Sequence, residues 1–156
     1  MKISTNRRAL LTGFLATLFL PGAVRGQNAV NFPKSQLAMD TSEGRKSFDV
    51  ELAISDAQQS RGLMFREALA ANAGMLFDYR FSQRITMWML NTLIPLDMIF
   101  IGADGRVINV AERTIPHSEA IIASKGRARA VLEVNGGTAS RLGIKPGTQV
   151  YHRIFG

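Results

Sequence analysis

The chain has no cysteine and only two histidines among its 156 residues. Without cysteine it has no disulfide bonds, no thiol nucleophile and no thiolate metal ligand, so packing alone must stabilise the fold. His117 and His152 are far apart in sequence, and neither has a second His, Asp or Glu at a metal-ligand spacing. We therefore expect neither a metal site nor a bound cofactor. Nucleophile-elbow, phosphate-loop and dinucleotide-binding motifs are also missing, which removes the usual signatures of common enzyme classes.

The first 26 residues have the layout of a signal peptide. Three basic residues precede a charge-free apolar stretch, 9–20, and small residues follow it, so we expect cleavage near Gly26. The apolar stretch is too short for a membrane span, which needs roughly 20 residues. Arg7-Arg8 also fits a twin-arginine signal, although Asn6 stands where Ser or Thr is usual. Both the general secretory and the twin-arginine routes stay open, and either predicts a periplasmic or secreted protein.

Removal of this segment changes the charge of the chain. The full sequence carries +7, but the segment holds four of the 19 basic residues and no acidic one, which leaves 15 against 12 and a charge of +3. Only residues 125–129 are locally basic, and such a short run is typical of a solvated loop. We therefore expect no nucleic-acid partner, and no membrane span after cleavage.

The remaining chain of about 130 residues is the usual size of one domain. Residues 27–46 are mixed and polar, and predict an extended lead-in segment outside the core. The domain itself is predicted over residues 47–156. It begins with a half-buried strand, because apolar side chains alternate from Phe48 to Ile54. Ser55 or Asp56 then predicts the start of a short helix that stops at Gly62, with Gln58 or Gln59 closing a capping box.

An Asp-Gly turn, Asp104-Gly105, predicts a β-hairpin between residues 96–101 and 107–110. Further apolar segments of strand length are 74–77, 85–90, 130–134 and 149–155. Short strands therefore dominate, and helices do not alternate with them. This pattern predicts a mainly β fold, a compact antiparallel β-sandwich or open barrel with one or two short helices.

Asp97 and Glu133 are carboxylates within apolar segments. A desolvated carboxylate has a raised pKa and could act as an acid or base, with Arg61 stabilising charge. An ion pair from Asp97 to Arg61 or Arg66 would instead make Asp97 structural, and we favour that role because buried charges are normally paired. The same choice between a catalytic and a structural role applies to Glu133. A further alternative is that the Glu133 side chain faces water.

Five of the seven methionines lie in the central half of the chain, at positions 64, 75, 87, 89 and 98. Thioethers are soft ligands that suit Cu(I), so a methionine-based copper site is one alternative. Methionine is also ordinary core filling, and no His or Cys lies nearby in sequence. We therefore favour packing over copper binding.

Several motifs follow one another in the central part of the chain. They are Arg61-Gly62-Leu63-Met64-Phe65-Arg66, Gly74-Met75-Leu76-Phe77, Trp88-Met89-Leu90-Asn91-Thr92, Pro95-Leu96-Asp97-Met98-Ile99-Phe100 and Val131-Leu132-Glu133. With these motifs the chain resembles the DUF192 family over residues 48–150. The resemblance implies a compact β-rich domain, often exported in bacteria, whose biochemical role is not established. Leu90 departs from the family pattern, in which Lys is frequent at this position.

The polar residues within these motifs, together with the single Trp, form the predicted site. Its members are Arg61, Arg66, Trp88, Asn91, Thr92, Asp97 and Glu133. An aromatic anchor among polar groups is typical of a concave ligand site, so we predict a non-enzymatic, exported, monomeric domain that binds a small molecule or a cell-envelope protein. One alternative is an acid-base hydrolase that uses Asp97 or Glu133 with Arg61, and another is Cu(I) binding. For Asn91 and Thr92 the alternative is a turn-forming role.

Overall fold

The computed structural model describes residues 30–156, so the predicted signal peptide and its cleavage site lie outside the described residues. Nine strands and two short α-helices follow one another in this part of the chain. In order they are β1 (Lys34–Thr41), β2 (Gly44–Ala53), α1 (Asp56–Arg61), β3 (Ala73–Gln83), β4 (Thr86–Met87), β5 (Leu96–Ile101), β6 (Val107–Ala111), β7 (Ile122–Ala123), β8 (Ala128–Asn135), α2 (Thr138–Leu142) and β9 (Val150–Tyr151). A 3-10 helix, Arg153–Phe155, follows β9. Within residues 30–156 no helix is long and apolar enough to cross a membrane.

Seven strands form one curled half-barrel sheet in the order β6-β5-β8-β3-β2-β1-β9, and β4 pairs with β7 in a small second sheet. This arrangement confirms the predicted mainly β fold with two short helices. One pair departs from the antiparallel pattern, because β2 and β3 run parallel. A parallel pair needs a crossover connection, and α1 lies in that connection.

Helix α1 has the predicted boundaries, and its capping explains them. Ser55 accepts a hydrogen bond from the backbone N–H of Gln58, and the Gln58 side chain accepts one from the Ser55 N–H, which completes the capping box. Gly62 ends the helix at a φ of 46°. A Cβ atom at Gly62 would lie 3.1 Å from the Phe77 ring, so glycine lets the chain pass closely over β3.

The hairpin predicted at Asp104-Gly105 is confirmed by the antiparallel pairing of β5 with β6. Along β5 the side chains alternate between two clusters of buried residues, one on each side of the sheet. Ile99 and Ile101 belong to the first cluster, whereas Met98 and Phe100 belong to the second. Both faces of β5 are therefore buried.

The prediction that residues 27–46 lie outside the core is wrong for β1. This strand pairs antiparallel with β2 along its whole length, and Leu37 and Met39 are 2 % and 0 % exposed. Only two alternating apolar side chains mark it, and polar residues flank them on both sides, so the local pattern is too short to identify a strand. The predicted strand over 85–90 is also shorter in the structure, where only Thr86–Met87 pairs.

Candidate functional site

The segment after α1 and the segment around β4 together cover one face of the large sheet and leave a cavity of about 110 Å³ between them. Four of the seven predicted site residues line this cavity, namely Arg61, Trp88, Thr92 and Glu133. We refer to it as the Glu133 cavity. Its remaining wall residues are the apolar Leu63, Met64, Phe77 and Met87, together with Gln59, Ser60, Gly62, Tyr79 and Thr86.

Glu133 is the most deeply buried polar group in the cavity. It lies on β8 between Met75 of β3 and Met98 of β5, both of which are 0 % exposed, and is itself only 4 % exposed. Burial raises the pKa of its carboxyl group to about 8, and no hydrogen bond or ion pair from residues 30–156 offsets this effect. At neutral pH the carboxyl group is therefore mainly protonated.

Tyr79 brings a second titratable group to the cavity from β3. Burial, together with the nearby Glu133, raises the pKa of its phenol to about 12, so the hydroxyl keeps its proton. That hydroxyl donates to the Met87 Sδ at 3.2 Å. The phenol is thus committed to a neighbouring thioether and leaves the Glu133 carboxyl group unpaired.

The rim of the cavity carries Arg61 and Trp88. The Arg61 side chain is exposed, and its guanidinium lies 4.7 Å from the centre of the Phe65 ring. Trp88 is 51 % exposed. An adjoining groove of about 420 Å³, here called the Trp88 groove, shares five residues with the cavity and extends to Ile121, which is 74 % exposed. A small, partly polar cavity therefore adjoins a wider apolar groove.

Asn91 and Thr92 stabilise the segment that carries Trp88. Asn91 has a φ of 55°, and its carbonyl accepts a hydrogen bond from the Phe65 N–H at 2.9 Å. The Thr92 hydroxyl donates to the Leu90 carbonyl at 3.4 Å while the residue also lines the cavity. Asn91 does not line the cavity, and its positive φ and backbone contact belong to the turn before β5.

Asp97 lies on the opposite face of the sheet from the cavity, because it alternates with Met98 along β5. It is fully buried, and the predicted ion pair with Arg61 or Arg66 is wrong. Its carboxylate instead accepts hydrogen bonds from three backbone N–H groups, those of Arg113 at 2.7 Å, Gly137 at 2.9 Å and Ala139 at 2.7 Å. Gly137 precedes α2 and has no side chain to cap it, so Asp97 acts in its place.

Arg66 does not line the cavity either. Its guanidinium forms an ion pair with Glu51 of β2 and lies 5.9 Å from the centre of the Phe32 ring. These contacts fasten the segment after α1 to the start of the domain. Arg66 therefore has a structural role in the observed fold.

Reasoning from sequence missed Tyr79 and Gln59 as cavity residues. Tyr79 follows a run of buried residues in β3, and a tyrosine in such a place signals a hydroxyl that needs a partner. Gln59 gave no comparable signal, since it occupies an ordinary helix position. Of the five central methionines, Met64 and Met87 line the cavity. Within residues 30–156 no group of three or more His, Cys, Asp or Glu side chains could hold a metal ion.

Comparisons with known proteins agree with the resemblance seen in the sequence. The DUF192 family, described as "Uncharacterized ACR", matches residues 38–152. A crystal structure from Sinorhizobium meliloti, described as a candidate transcription regulator, shares 42% identity at a TM-score of 0.75 and covers 78% of this chain and 95% of its own. A protein of unknown function from Novosphingobium aromaticivorans shares 41% identity at a TM-score of 0.75, with 88% and 94% covered. No curated protein matches the chain. The chain therefore belongs to the DUF192 family.

Proposed function

We propose that this protein is an exported binding module whose ligand site comprises the Glu133 cavity and the Trp88 groove. The observation that carries the proposal is the Glu133 carboxyl group, which has no hydrogen-bond partner among residues 30–156 although the residue is only 4 % exposed, and which opens to a cavity rimmed by Arg61 and Trp88. Within residues 30–156 no fully enclosed side-chain nitrogen or oxygen atom lacks a hydrogen-bond partner, so the Glu133 oxygens are accessible from the cavity, where a ligand can supply the partner. The single Trp beside a few convergent polar groups is typical of a small-molecule site.

The volumes of the Glu133 cavity and the Trp88 groove favour a ligand that places only a small group inside the cavity. Pockets for whole drug-sized ligands measure about 300–1,000 Å³. The Glu133 cavity holds about 110 Å³, whereas the Trp88 groove adds about 420 Å³ on the outside. We therefore infer that a polar tip enters the cavity and an apolar body lies in the groove.

Binding is favoured over hydrolysis because the second carboxylate is missing from the site. Acid-base pairs of carboxylates act on the same bond, yet Asp97 lies on the other face of the sheet and is saturated by backbone donors. A hydrolase that uses Glu133 alone remains a second candidate, since its protonated carboxyl group suits a general acid near neutral pH. Loss of turnover in Glu133→Gln, on any ester or glycoside that the protein cleaves, would support that candidate.

Copper binding is the third candidate, and it stands on Met64 and Met87 in the cavity wall. Titration of Cu(I) under reducing conditions, into the protein and into Met87→Leu, tests it. Uptake that disappears in the variant would support a thioether site. No uptake by either protein would eliminate it.

The export part of the proposal rests on the sequence of residues 1–26. Cell fractionation, followed by intact mass measurement of the recovered protein, is the corresponding experiment. We expect a periplasmic or secreted species that begins close to residue 27. Replacement of Arg7 and Arg8 by Lys should block export only if the twin-arginine route is used.

The single Trp provides the readout for the binding proposal. A small-molecule fragment set is titrated into the protein while emission from Trp88 is followed, and hits are repeated by calorimetry. A true site ligand should shift Trp88 emission to shorter wavelength, because it covers the half-exposed ring. As a control for a general effect of carboxylate removal, Glu112→Gln, which removes an exposed carboxylate, should show the same Trp88 emission change as wild type. Hits that bind by calorimetry without changing Trp88 emission would place the site elsewhere.

A further inference from the structure

We infer that the ligand is a primary ammonium compound, whose ammonium group enters the Glu133 cavity while its apolar body lies in the Trp88 groove. This inference rests on the proposed binding function and specifies the ligand class for the same site. It follows from the hydrogen-bond inventory of the cavity wall. The inventory distinguishes a donor ligand from an acceptor ligand.

The donors on the wall residues that are not exposed, Gln59, Tyr79 and Thr92, are already in use. The donors without a hydrogen bond within residues 30–156 belong to the exposed rim residues Ser60, Arg61, Thr86 and Trp88. The Tyr79 hydroxyl donates to Met87, and the Thr92 hydroxyl donates to the Leu90 carbonyl. The Gln59 amide donates to the carbonyls of Ala53 and Asp78, at 3.4 Å and 3.0 Å. A carboxylate, phosphate or carbonyl group on a ligand would therefore find no uncommitted donor among these three wall residues.

The acceptor inside the cavity, the Glu133 carboxyl group, is by contrast not in use. The Glu133 carboxyl group faces the cavity without a hydrogen-bond partner from residues 30–156. An ammonium group carries three donors and no acceptor, so it matches the Glu133 carboxylate, which only accepts once its proton has left. An acceptor group on a ligand would find that single proton as the only unused donor in the interior. The ammonium group also carries a charge opposite to that of the Glu133 carboxylate, and a buried charge is stable mainly when it is paired.

Proton balance makes the inference measurable. When a protonated Glu133 receives an ammonium ion, its carboxyl proton leaves to solvent and a carboxylate–ammonium pair remains. When it receives the neutral amine, the same proton moves to the amine nitrogen and none is released. The charged and titratable groups that line the cavity beside Glu133 are Tyr79 from β3 and Arg61 at the end of α1, and Tyr79 stays protonated near neutral pH.

The rim limits the shape of the ligand. A cavity of about 110 Å³ has room for only a few water-sized groups. The ammonium group therefore enters with its adjoining methylenes and little else. Trp88 and Ile121 offer apolar surface to the remainder. Arg61 at the rim repels a second cation and accommodates a neutral or acidic body, so a single ammonium at one end is favoured.

Three ligands of similar shape test the inference, and the protein is used as the full chain. They are 2-phenylethylamine, 2-phenylethanol and 3-phenylpropanoate, each followed by Trp88 emission and by calorimetry. The lysine derivative Nα-acetyl-lysine methylamide forms a separate arm, which shows whether a protein side chain can supply the same ammonium group. We expect an amine to bind at least about tenfold more tightly than the alcohol or the acid, as a close charge pair gives.

Variants then connect the preference to Glu133. Glu133→Gln keeps the shape and removes the charge, so it should lower amine affinity at least about tenfold and change alcohol affinity by less than about twofold. Lowering the pH from 7 to 6 should weaken amine binding by up to about tenfold, because protons compete for the carboxylate. Met64→Lys, which tethers an ammonium to the cavity wall, should abolish amine binding, whereas Met64→Leu should retain it.

The outcomes separate the ligand class from the binding function. Alcohol or acid binding that equals amine binding, with a change in Trp88 emission, overturns the ammonium assignment and leaves the binding function standing. Amine affinity that is unchanged in both Glu133→Gln and Met64→Lys also overturns it. If neither the four ligands nor a broad fragment set changes Trp88 emission, the binding function itself is contradicted.

Discussion

The Asp97 carboxylate accepts a hydrogen bond from the Ala139 N–H at 2.7 Å, which joins β5 to α2 across 42 positions of sequence. Two further backbone N–H groups, those of Arg113 and Gly137, complete its coordination. Charge-assisted hydrogen bonds of this kind are stronger than neutral ones. Asp97 therefore joins β5 to two other segments of backbone, at residue 113 and at residues 137–139. This role accounts for a charged residue in the middle of an apolar strand.

Asp97→Ala should lower the free energy of unfolding by about 3 kcal/mol or more, because three buried N–H groups lose their acceptor. Chemical denaturation measures the loss. Glu112→Gln is the exposed control and should stay within about 0.5 kcal/mol of wild type. A loss below about 1 kcal/mol in Asp97→Ala would show that other acceptors replace the carboxylate. Any folded fraction should retain the Trp88 response, since Asp97 faces away from the cavity.

Glu133 should give a pH-dependent contribution to stability. Its folded pKa is about 8 and its ordinary value is 4.5, so folding favours the protonated form. Burial of Glu133 therefore does not lower the free energy of unfolding below pH 4.5. The free energy of unfolding falls as the pH rises from 4.5 towards 8, and it stays constant at the lower value above pH 8. Relative to Glu133→Gln, wild type should lose up to about 1.4 kcal/mol per pH unit within this window. A stability difference that does not change with pH would contradict burial of an ionisable carboxyl group at this position.

Arg66→Ala should have a small effect, in contrast to Asp97→Ala. The Arg66–Glu51 pair is only half-buried, and such pairs contribute about 0–1 kcal/mol to the free energy of unfolding. Denaturation should show a loss in this range, and ligand affinity should remain within about twofold of wild type. A large loss of affinity in Arg66→Ala would return Arg66 to the binding site.

Gly62→Ala tests the wall of the cavity. A methyl group at position 62 would lie 3.1 Å from the Phe77 ring at a φ of 46°, so either the ring or the backbone must shift. We expect a loss of about 1–3 kcal/mol and weaker ligand binding. Gly44→Ala is the matched control, since Gly44 also has a positive φ but has nothing within 4 Å of the added carbon. Equal effects of the two variants on ligand affinity would contradict a specific contribution from Gly62.

Much of the local structure could be predicted from sequence because it depends on neighbours along the chain. Ser55 and Gln58 define the start of α1, Asp104-Gly105 defines a hairpin, and alternation along β5 defines its two faces. The parallel pairing of β2 with β3 could not be predicted, since it depends on how α1 returns the chain to the sheet. Strand β1 was missed because two apolar residues are too few to show a period.

The candidate site likewise contains residues that could be predicted from the sequence and contacts that could not. Glu133 and Trp88 could be identified, because a carboxylate in an apolar strand and a single Trp among polar residues are visible in the sequence. The partners of Asp97 could not, because they are backbone N–H groups from residues 113, 137 and 139, which carry no side-chain signal. The ion pair of Arg66 could not be predicted either, since its partner, Glu51, lies 15 positions away in a strand that faces it only in the folded chain.

The most direct test of the central claim is chemical-shift mapping of the protein during titration with 2-phenylethylamine. We predict that the largest saturable shifts occur at the Trp88 indole N–H and at the amides of Gly62 and Thr92, and that Glu133→Gln abolishes them. Shifts centred on Arg113 and Gly137, or shifts around Trp88 that persist unchanged in Glu133→Gln, would contradict the account.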